Sequence, residues 1–205
     1  GFIYEGKLYF ASTKPTGTKY DKKLYQWNKQ PFLNIYTAKE NFNVLEKFLD
    51  VEKPKKIEGV STRYHESNAI FTSDGKTMYF TRDNYDGDNL KGDDNQVTHL
   101  KIFKATKNRE DKWDNIKELP FNSDDFSCGH PALSSDESTL YFVSDMPGGI
   151  GGTDLYKVQI LENETYGTPE NLGATINTES REMFPYIASD NTLYFASDGH
   201  IGLGA

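Results

Sequence analysis

The chain repeats itself, and that limits its folds more than any other property. Residues 68–80 run Asn-Ala-Ile-Phe-Thr-Ser-Asp-Gly-Lys-Thr-Met-Tyr-Phe, and residues 130–142 run His-Pro-Ala-Leu-Ser-Ser-Asp-Glu-Ser-Thr-Leu-Tyr-Phe. Residues 184–195 repeat the pattern, one residue shorter at the turn. The stretch from Glu5 to Ser12 matches the second half of a fourth copy. Each copy is a short apolar strand, a Ser-Asp turn whose side chains bond the backbone two residues on, and a second strand ending in Tyr-Phe. β-rich runs with turn residues between them predict a hairpin.

A third strand follows each hairpin: Leu33-Asn34-Ile35-Tyr36, Leu100-Lys101-Ile102-Phe103 and Thr153-Asp154-Leu155-Tyr156. A fourth segment recurs as Trp113 to Leu119 and as Tyr166 to Leu172. The turn aspartates Asp74, Asp136 and Asp190 are 62 and 54 residues apart. The unequal spacing lies between strands two and three, where Phe80 to Phe103 spans 23 residues and Phe142 to Tyr156 spans 14. In the first repeat Phe10 to Tyr36 spans 26. Four short strands per repeat, varied by loop insertions on one edge, predict an all-β chain built as a β-propeller. The expected repeats cover about 1–62, 63–125 and 126–179, with a partial one at 180–205. A β-sandwich also has short, regularly spaced strands, but does not require repeated sequence.

Composition narrows the function. The formal charge is −8 and the pI is near 5.0. An acidic chain lacks the Lys and Arg excess that displaces counterions from nucleic acid, so no nucleic-acid partner is expected. No run of 18 apolar residues is present, so no membrane-spanning helix is expected. Any secretion signal is expected to lie outside this sequence. Cys128 is the only cysteine, which rules out an internal disulfide and a multi-cysteine metal site.

The repeat, best seen from Pro131 to Phe142 and from Pro185 to Phe195, resembles the WD-like propeller repeat of TolB-type proteins. In the second copy Ala69 stands where the others have Pro. Two further stretches, Gly148 to Tyr156 and Glu182 to Gly204, resemble the propeller region of OmpA-family outer-membrane-associated proteins of Bacteroidota, including the PorE type. The resemblance implies a periplasmic, outer-membrane-associated protein. Its implied partners are other envelope or type IX secretion and gliding components. Peptidoglycan would be reached only through a domain outside this chain. Since propellers close with about 4–8 blades, roughly three and a half repeats lead us to expect a piece of a longer protein.

Several residues invite a chemical reading. Asp83, Asp86 and Asp88 lie in an oxygen-rich insertion suited to calcium, although the EF-hand spacing is absent. Otherwise no cofactor is expected. The Gly-rich run 148–152 lacks the helix that a dinucleotide fingerprint needs, and reads as a turn. Cys128 and His130 carry no catalytic signature. Glu66 and Glu182 align across repeats and would suit glycoside chemistry if they approached each other. The insertions 13–31 and 83–99 are the expected partner-binding loops, with Tyr20, Tyr25, Trp27 and Tyr85 as aromatic contacts. The expectation is a non-enzymatic interaction scaffold. The competing reading is a carbohydrate-binding or glycan-processing propeller.

Overall fold

A computed structural model describes residues 1–14, 24–25, 28–43 and 48–202, with backbone only at 40–43 and 48–51. The described strands form four antiparallel sheets that follow one another along the chain. The first holds β1 (Phe2–Tyr4), β2 (Lys7–Ser12), β3 (Asn34–Asn43) and β4 (Phe48–Val51), with β5 (Lys55–Lys56) also paired to β3. The second is β6 (Glu66–Phe71), β7 (Thr77–Asp83), β8 (Leu100–Lys107) and β9 (Trp113–Glu118). The third is β10 (Cys128–Leu133), β11 (Thr139–Ser144), β12 (Asp154–Gln159) and β13 (Glu170–Asn171). The fourth is the hairpin β14 (Glu182–Ile187) and β15 (Leu193–Ser197).

The turn aspartates make the hairpins. Asp74 Oδ1 accepts the Thr72 hydroxyl at 2.7 Å and the Lys76 N–H at 2.9 Å. Asp136 Oδ1 takes the Ser134 hydroxyl at 2.6 Å and the Ser138 N–H at 3.1 Å. Asp190 Oδ1 takes the Thr192 N–H at 3.0 Å. Each carboxylate closes its own turn, which fixes the register of the two strands. The first hairpin uses another device. Glu5 and Gly6 both have positive φ, 47° and 67°, as a two-residue type I′ turn requires. That turn creates an inner strand, β1, that the repeat pattern does not show. The fourth strand of sheet 3 is shorter than the pattern predicts. Pro169 offers no N–H to a ladder, and only Glu170 and Asn171 pair with β12.

The sheets stack face to face, so the second strands of sheets 2 and 3 are buried on both faces. In sheet 2, Met78 to Asp83 is buried throughout. Ile35, Ile57 and Val60 of sheet 1 pack on Phe71, Met78, Phe80 and Ala105 of sheet 2. Tyr79, Ile102 and Leu119 of sheet 2 pack on Leu133, Leu140, Phe142 and Val158 of sheet 3. Each fully buried Leu, Met or Phe side chain stabilises by about 1.5–3 kcal/mol, so these layers hold the stack together. The joints between sheets also repeat. Glu66 N–H donates to Leu33 O, and Glu182 N–H to Thr153 O, both at 2.9 Å. At the second joint Gly151 lies so close to the carbonyl oxygens of Thr178 and Ser180 that any Cβ would collide with them. The Gly-rich run is thus a turn seated against the next sheet. The result is an all-β, propeller-like array, and the described sheets do not close into a ring.

Candidate functional site

Two surfaces arise from this packing. The first lies where the inner strands β1, β6, β10 and β14 meet. Each of the last three carries a bulge at the same repeat position, between Ser67 and Ile70, Gly129 and Ala132, and Met183 and Tyr186. The first bulged residue has positive φ each time: Asn68 at 49°, His130 at 52° and Phe184 at 54°. A left-handed residue bends the strand and re-aims its side chain. Here the bends link sheets. His130 N–H donates to Thr81 Oγ1 of sheet 2 at 2.9 Å, and His130 Nδ1 accepts the Phe184 N–H of sheet 4 at 3.3 Å. The His130 and Phe184 rings stack at 4.3 Å. An accepting Nδ1 places the ring proton on Nε2. Burial drives the His130 pKa down to about 4, so the ring stays neutral near neutral pH.

Beside these bulges lies an open cavity of about 880 Å³, walled by Phe2, Tyr4, Tyr9, Phe71, Phe184 and Tyr186 among others. Its lining has no charged side chain. Glu66 and Glu182 are not in that lining. Both are buried and occupied elsewhere. Glu66 Oε1 accepts the Thr62 N–H at 2.9 Å and the Thr62 hydroxyl, and lies 3.4 Å from Arg82 Nε. Glu182 accepts the Thr178 N–H at 2.9 Å and the hydroxyls of Thr178 and Ser197, each at 2.7 Å. They sit on sheets 2 and 4, with sheet 3 between them, and do not form a carboxylate pair across the cavity. Cys128 fills the same position in sheet 3. Burial pushes its thiol up to about 12, so it holds its proton and is no nucleophile.

The second surface is on the rim of sheets 1 and 2, where the partly exposed Tyr25, His65 and Tyr85 overlie the buried Phe32 and Tyr64. The Tyr25 ring meets His65 edge-on at 4.9 Å and Phe32 at 5.5 Å. Phe32 meets Tyr64 edge-on at 5.6 Å, and Tyr64 meets Tyr85 at 5.5 Å. His65 is held by the Leu33 N–H, which donates to Nδ1 at 3.0 Å. The Tyr64 hydroxyl donates to Asp88 O at 2.9 Å and so ties down the 83–99 insertion. The Arg82 guanidinium lies 5.7 Å from the Tyr85 ring centre, a cation–π distance. Beside the row, a depression of about 310 Å³ is walled by Ser61, Thr62, Arg63, Tyr85, Gly87 and Asp88. Of the four aromatics expected as contacts, Tyr25 and Tyr85 are thus at the two ends of one row. Tyr20 and Trp27 lie outside the described residues. Phe32, Tyr64 and His65 were not foreseen, because they sit in linkers that the repeat does not cover.

The acidic insertion is built by its own carboxylates. Asp86 Oδ1 accepts the N–H groups of Asp88 and Asn89, at 2.9 and 2.8 Å. Asp83 Oδ2 takes the His65 N–H at 3.1 Å. Burial raises the Asp83 carboxyl to about 6. Asp88 is exposed and 3.9 Å from Arg63. Asp93 Oδ1 takes the N–H groups of Asn95 and Val97. At the far side Asp124 receives Lys91 and Lys101, each at 2.6 Å, and the Asn84 amide at 2.9 Å. Those donors hold the Asp124 carboxyl well below the usual carboxylate range. Among the described residues no group of three or more His, Cys, Asp or Glu side chains is placed to hold a metal ion. Likewise, among the described residues no helix is long and apolar enough to cross a membrane.

No family model and no curated protein matches the chain. Among solved structures, two of puromycin hydrolase align with it. One, a serine-to-alanine mutant complexed with PGG, is 15% identical, covers 80% of this chain and has a TM-score of 0.43. The other, the unmutated puromycin hydrolase, is also 15% identical, covers 85% of this chain and has a TM-score of 0.43. The chain spans about a quarter of those proteins' length, 24% and 26%. They correct one expectation. The sequence reads as that of a non-enzyme, yet its structural likeness is to a hydrolase, so a non-enzymatic role does not stand as a finding. A likeness this distant assigns no activity to the chain in its place.

Proposed function

We propose that this chain forms part of a β-propeller that binds other proteins in the bacterial cell envelope, through the rim of its first two sheets. One observation carries the reading: the row from Tyr25 through His65, Phe32 and Tyr64 to Tyr85 unites the two variable insertions on one rim, with Tyr25, His65 and Tyr85 partly exposed over the buried Phe32 and Tyr64. Tyrosines supply large, rigid contact area and are enriched at interface hot spots. The neighbouring depression adds Arg63 and Asp88 as polar contacts. The excess of acid in the 83–99 insertion favours a basic partner surface. The envelope setting rests on the resemblance of the repeats to those of OmpA-family proteins. On that resemblance the partners are other outer-membrane, secretion or gliding components.

Crosslinking in native outer membranes, read by mass spectrometry, tests the reading. Crosslinks should map to residues 61–64 and 83–99, and Tyr85→Ala should cut partner recovery about tenfold, as loss of one hot-spot residue does. Unchanged recovery with Tyr85→Ala, or crosslinks confined to the opposite rim, would refute it.

A second reading rests on the cavity. A neutral, aromatic-walled space of about 880 Å³ suits the apolar face of a sugar or an aromatic group. Binding on a glycan array that Tyr186→Ala removes and Tyr85→Ala spares would favour this reading over the rim.

A further inference from the structure

We propose that Ser127, His99 and Asp93 act as nucleophile, base and positioning carboxylate at the joint of sheets 2 and 3, toward small aryl esters. None of the three lies in a strand of the repeat. Asp93 and His99 belong to the 83–99 insertion, and Ser127 stands just before β10. His99 Nδ1 is 3.3 Å from Ser127 Oγ, and His99 Nε2 is 3.2 Å from Asp93 Oδ2. A hydroxyl, an imidazole and a carboxylate in this order are recognised by geometry and roles, whatever fold carries them.

The neighbouring bonds fix the protons. Asp93 Oδ1 accepts the N–H groups of Val97 and Asn95, at 2.9 and 2.8 Å. The Val97 bond above all holds the carboxyl below its ordinary range, so near neutral pH it is ionised and can only accept. His99 Nε2 must then carry the ring proton. In the neutral ring Nδ1 is the acceptor, and the Ser127 O–H donates to it. The Leu100 N–H donates to Ser127 Oγ at 3.2 Å, which takes one lone pair and leaves the hydroxyl proton for Nδ1. The His99 and Asp93 side chains are only 10% and 13% exposed, so water competes little for them. Ser127 is partly exposed, where a substrate can reach it.

The fold alone does not account for the set. At the joint of sheets 1 and 2 the Leu33 N–H donates to His65 Nδ1, of the residue just before β6. Ser127 fills that part at the next joint, where any acceptor would serve. A base behind the acceptor, and a carboxylate behind the base, go beyond it.

In the reaction Ser127 Oγ attacks the ester carbonyl carbon, and its proton passes to His99 Nδ1. The bond from that carbon to the aryl oxygen breaks, and the leaving phenolate takes the proton from Nδ1. Water then attacks the Ser127 ester and gives a proton to Nδ1. The carboxylic acid leaves as Ser127 Oγ takes that proton back. Asp93 stays ionised and orients the ring throughout. The Ser127 N–H is held by Asp145 Oδ1 at 2.6 Å, so it is not free to stabilise an oxyanion. That restricts the substrates to esters with a good leaving group and excludes amides.

The test is a fluorophosphonate probe, from which an activated serine displaces fluoride, with the adducts mapped by mass spectrometry. Ser127 should react about a hundredfold faster than the exposed Ser135, whose hydroxyl faces Asn191 instead of a base. Turnover of p-nitrophenyl acetate should be lost in Ser127→Ala and in His99→Gln. Ser127→Ala also strands the Leu100 N–H, so Asp93→Asn is the sharper variant. Its Oδ1 still caps Asn95 and Val97, while its amide donates to Nε2 and forces the ring proton onto Nδ1, facing Ser127. There kcat should fall about a hundredfold, with KM and the urea midpoint near those of the parent. No adduct at Ser127, an adduct at Ser135 formed as fast, or undiminished labelling in His99→Gln or Asp93→Asn overturns the proposal. So does a kcat that falls only together with the urea midpoint, because the three residues would then be structural.

Discussion

Glu66 with Arg82 in sheet 2, and Cys128 with Ser144 in sheet 3, hold the same rung of the repeat, where the inner strand meets the second. Sheet 2 buries an ion pair there. Sheet 3 buries a thiol whose sulfur lies 3.6 Å from the Ser144 hydroxyl. Sheet 4 gives a third version, in which Glu182 is satisfied by Thr178 and Ser197 with no cation. The carboxylate of sheet 3 has moved four residues back, to Asp124, in the place of Thr62 and Thr178. There it anchors the 83–99 insertion through Lys91 and Asn84, and pairs with Lys101 of β8, instead of closing the rung. What the fold requires at this rung is burial with the polar atoms accounted for. The chemistry that does so is free to vary between sheets.

Sheet 2 has the least complete accounting. Glu66 Oε2 and Arg82 Nε are buried and lack a hydrogen-bond partner, although Nε and Oε1 are within ion-pair distance. The Arg82 NH2 group does bond, to Val60 O at 2.5 Å. The largest effect is therefore expected there. Arg82→Met leaves a buried carboxylate without its cation and should cost about 3–5 kcal/mol in a urea unfolding experiment. The double variant Glu66→Leu/Arg82→Met removes both charges and should recover most of that loss, to within about 1–2 kcal/mol of the parent. A double variant as unstable as the single would break the comparison, because the rung would then need ions in sheet 2 that sheet 3 does without.

Glu182 should matter less. Glu182→Ala strands the Thr178 N–H and two hydroxyls and should cost about 2–3 kcal/mol. Glu182→Gln keeps an acceptor and should cost about 1 kcal/mol.

The pH dependence of stability separates two neighbouring regions by sign. Burial raises Glu66 to about 7, against the lowering effect of Arg82. Its folded pKa lies above the ordinary value, so its contribution is full below about 4.5 and is lost as pH rises through 7. His130 is shifted the other way, to about 4. Its contribution is full above about 6.5 and is lost as pH falls towards 4. Protonated Nδ1 would also cease to accept the Phe184 N–H that joins sheets 3 and 4. In the parent protein the two slopes oppose each other. His130→Asn should leave stability falling as pH rises from 4.5 to 7, whereas Glu66→Gln alone leaves Asp83, raised to about 6, acting in the same direction, so the double variant Glu66→Gln/Asp83→Asn should leave it rising from 4 to 6.5. Urea midpoints across that range read both slopes, and slopes of the same sign would remove the contrast.

Much of this architecture was legible in the residues themselves, because it depends on local chemistry. A Ser-Asp turn closes on its own backbone, so Asp74, Asp136 and Asp190 announced three hairpins. Strand β1 was not legible, since a Glu-Gly turn is a weaker hairpin signal than Asn-Gly or Asp-Gly. Pro131 and Pro185 mark positions without a ladder N–H, but that each sits within a bulge shows only in the paired strands, and in sheet 2 Ala69 gives no such mark. The candidate site was least legible. Tyr25 and Tyr85 were visible as aromatics in insertions, but the row between them runs through Phe32, Tyr64 and His65, which come together only when sheets 1 and 2 stack. In the acidic insertion, whose composition suggested calcium, Asp86 and Asp93 cap backbone N–H groups of their own loop, a local role that composition does not reveal.

The smallest effect belongs to Cys128, and it tests the neutral version of the rung. The side chain is fully buried at the interface of sheets 2 and 3, against Tyr79, Ile102 and Leu140. Its thiol keeps its proton far above neutral pH, and the thiolate is the reactive form. A thiol reagent should therefore modify Cys128 no faster than the protein unfolds, and the rate should rise with added urea. Cys128→Ala deletes one buried sulfur and should cost about 1 kcal/mol, a transfer and small-cavity effect with no stranded charge. Cys128→Glu would make sheet 3 imitate its neighbours in the wrong setting. The new carboxylate would find Asp124 where Glu66 and Glu182 find a threonine, so it should be far more damaging than alanine. If glutamate is tolerated as well as alanine, the three rungs are interchangeable parts. If only alanine is tolerated, each rung is tuned to the residue four places before it.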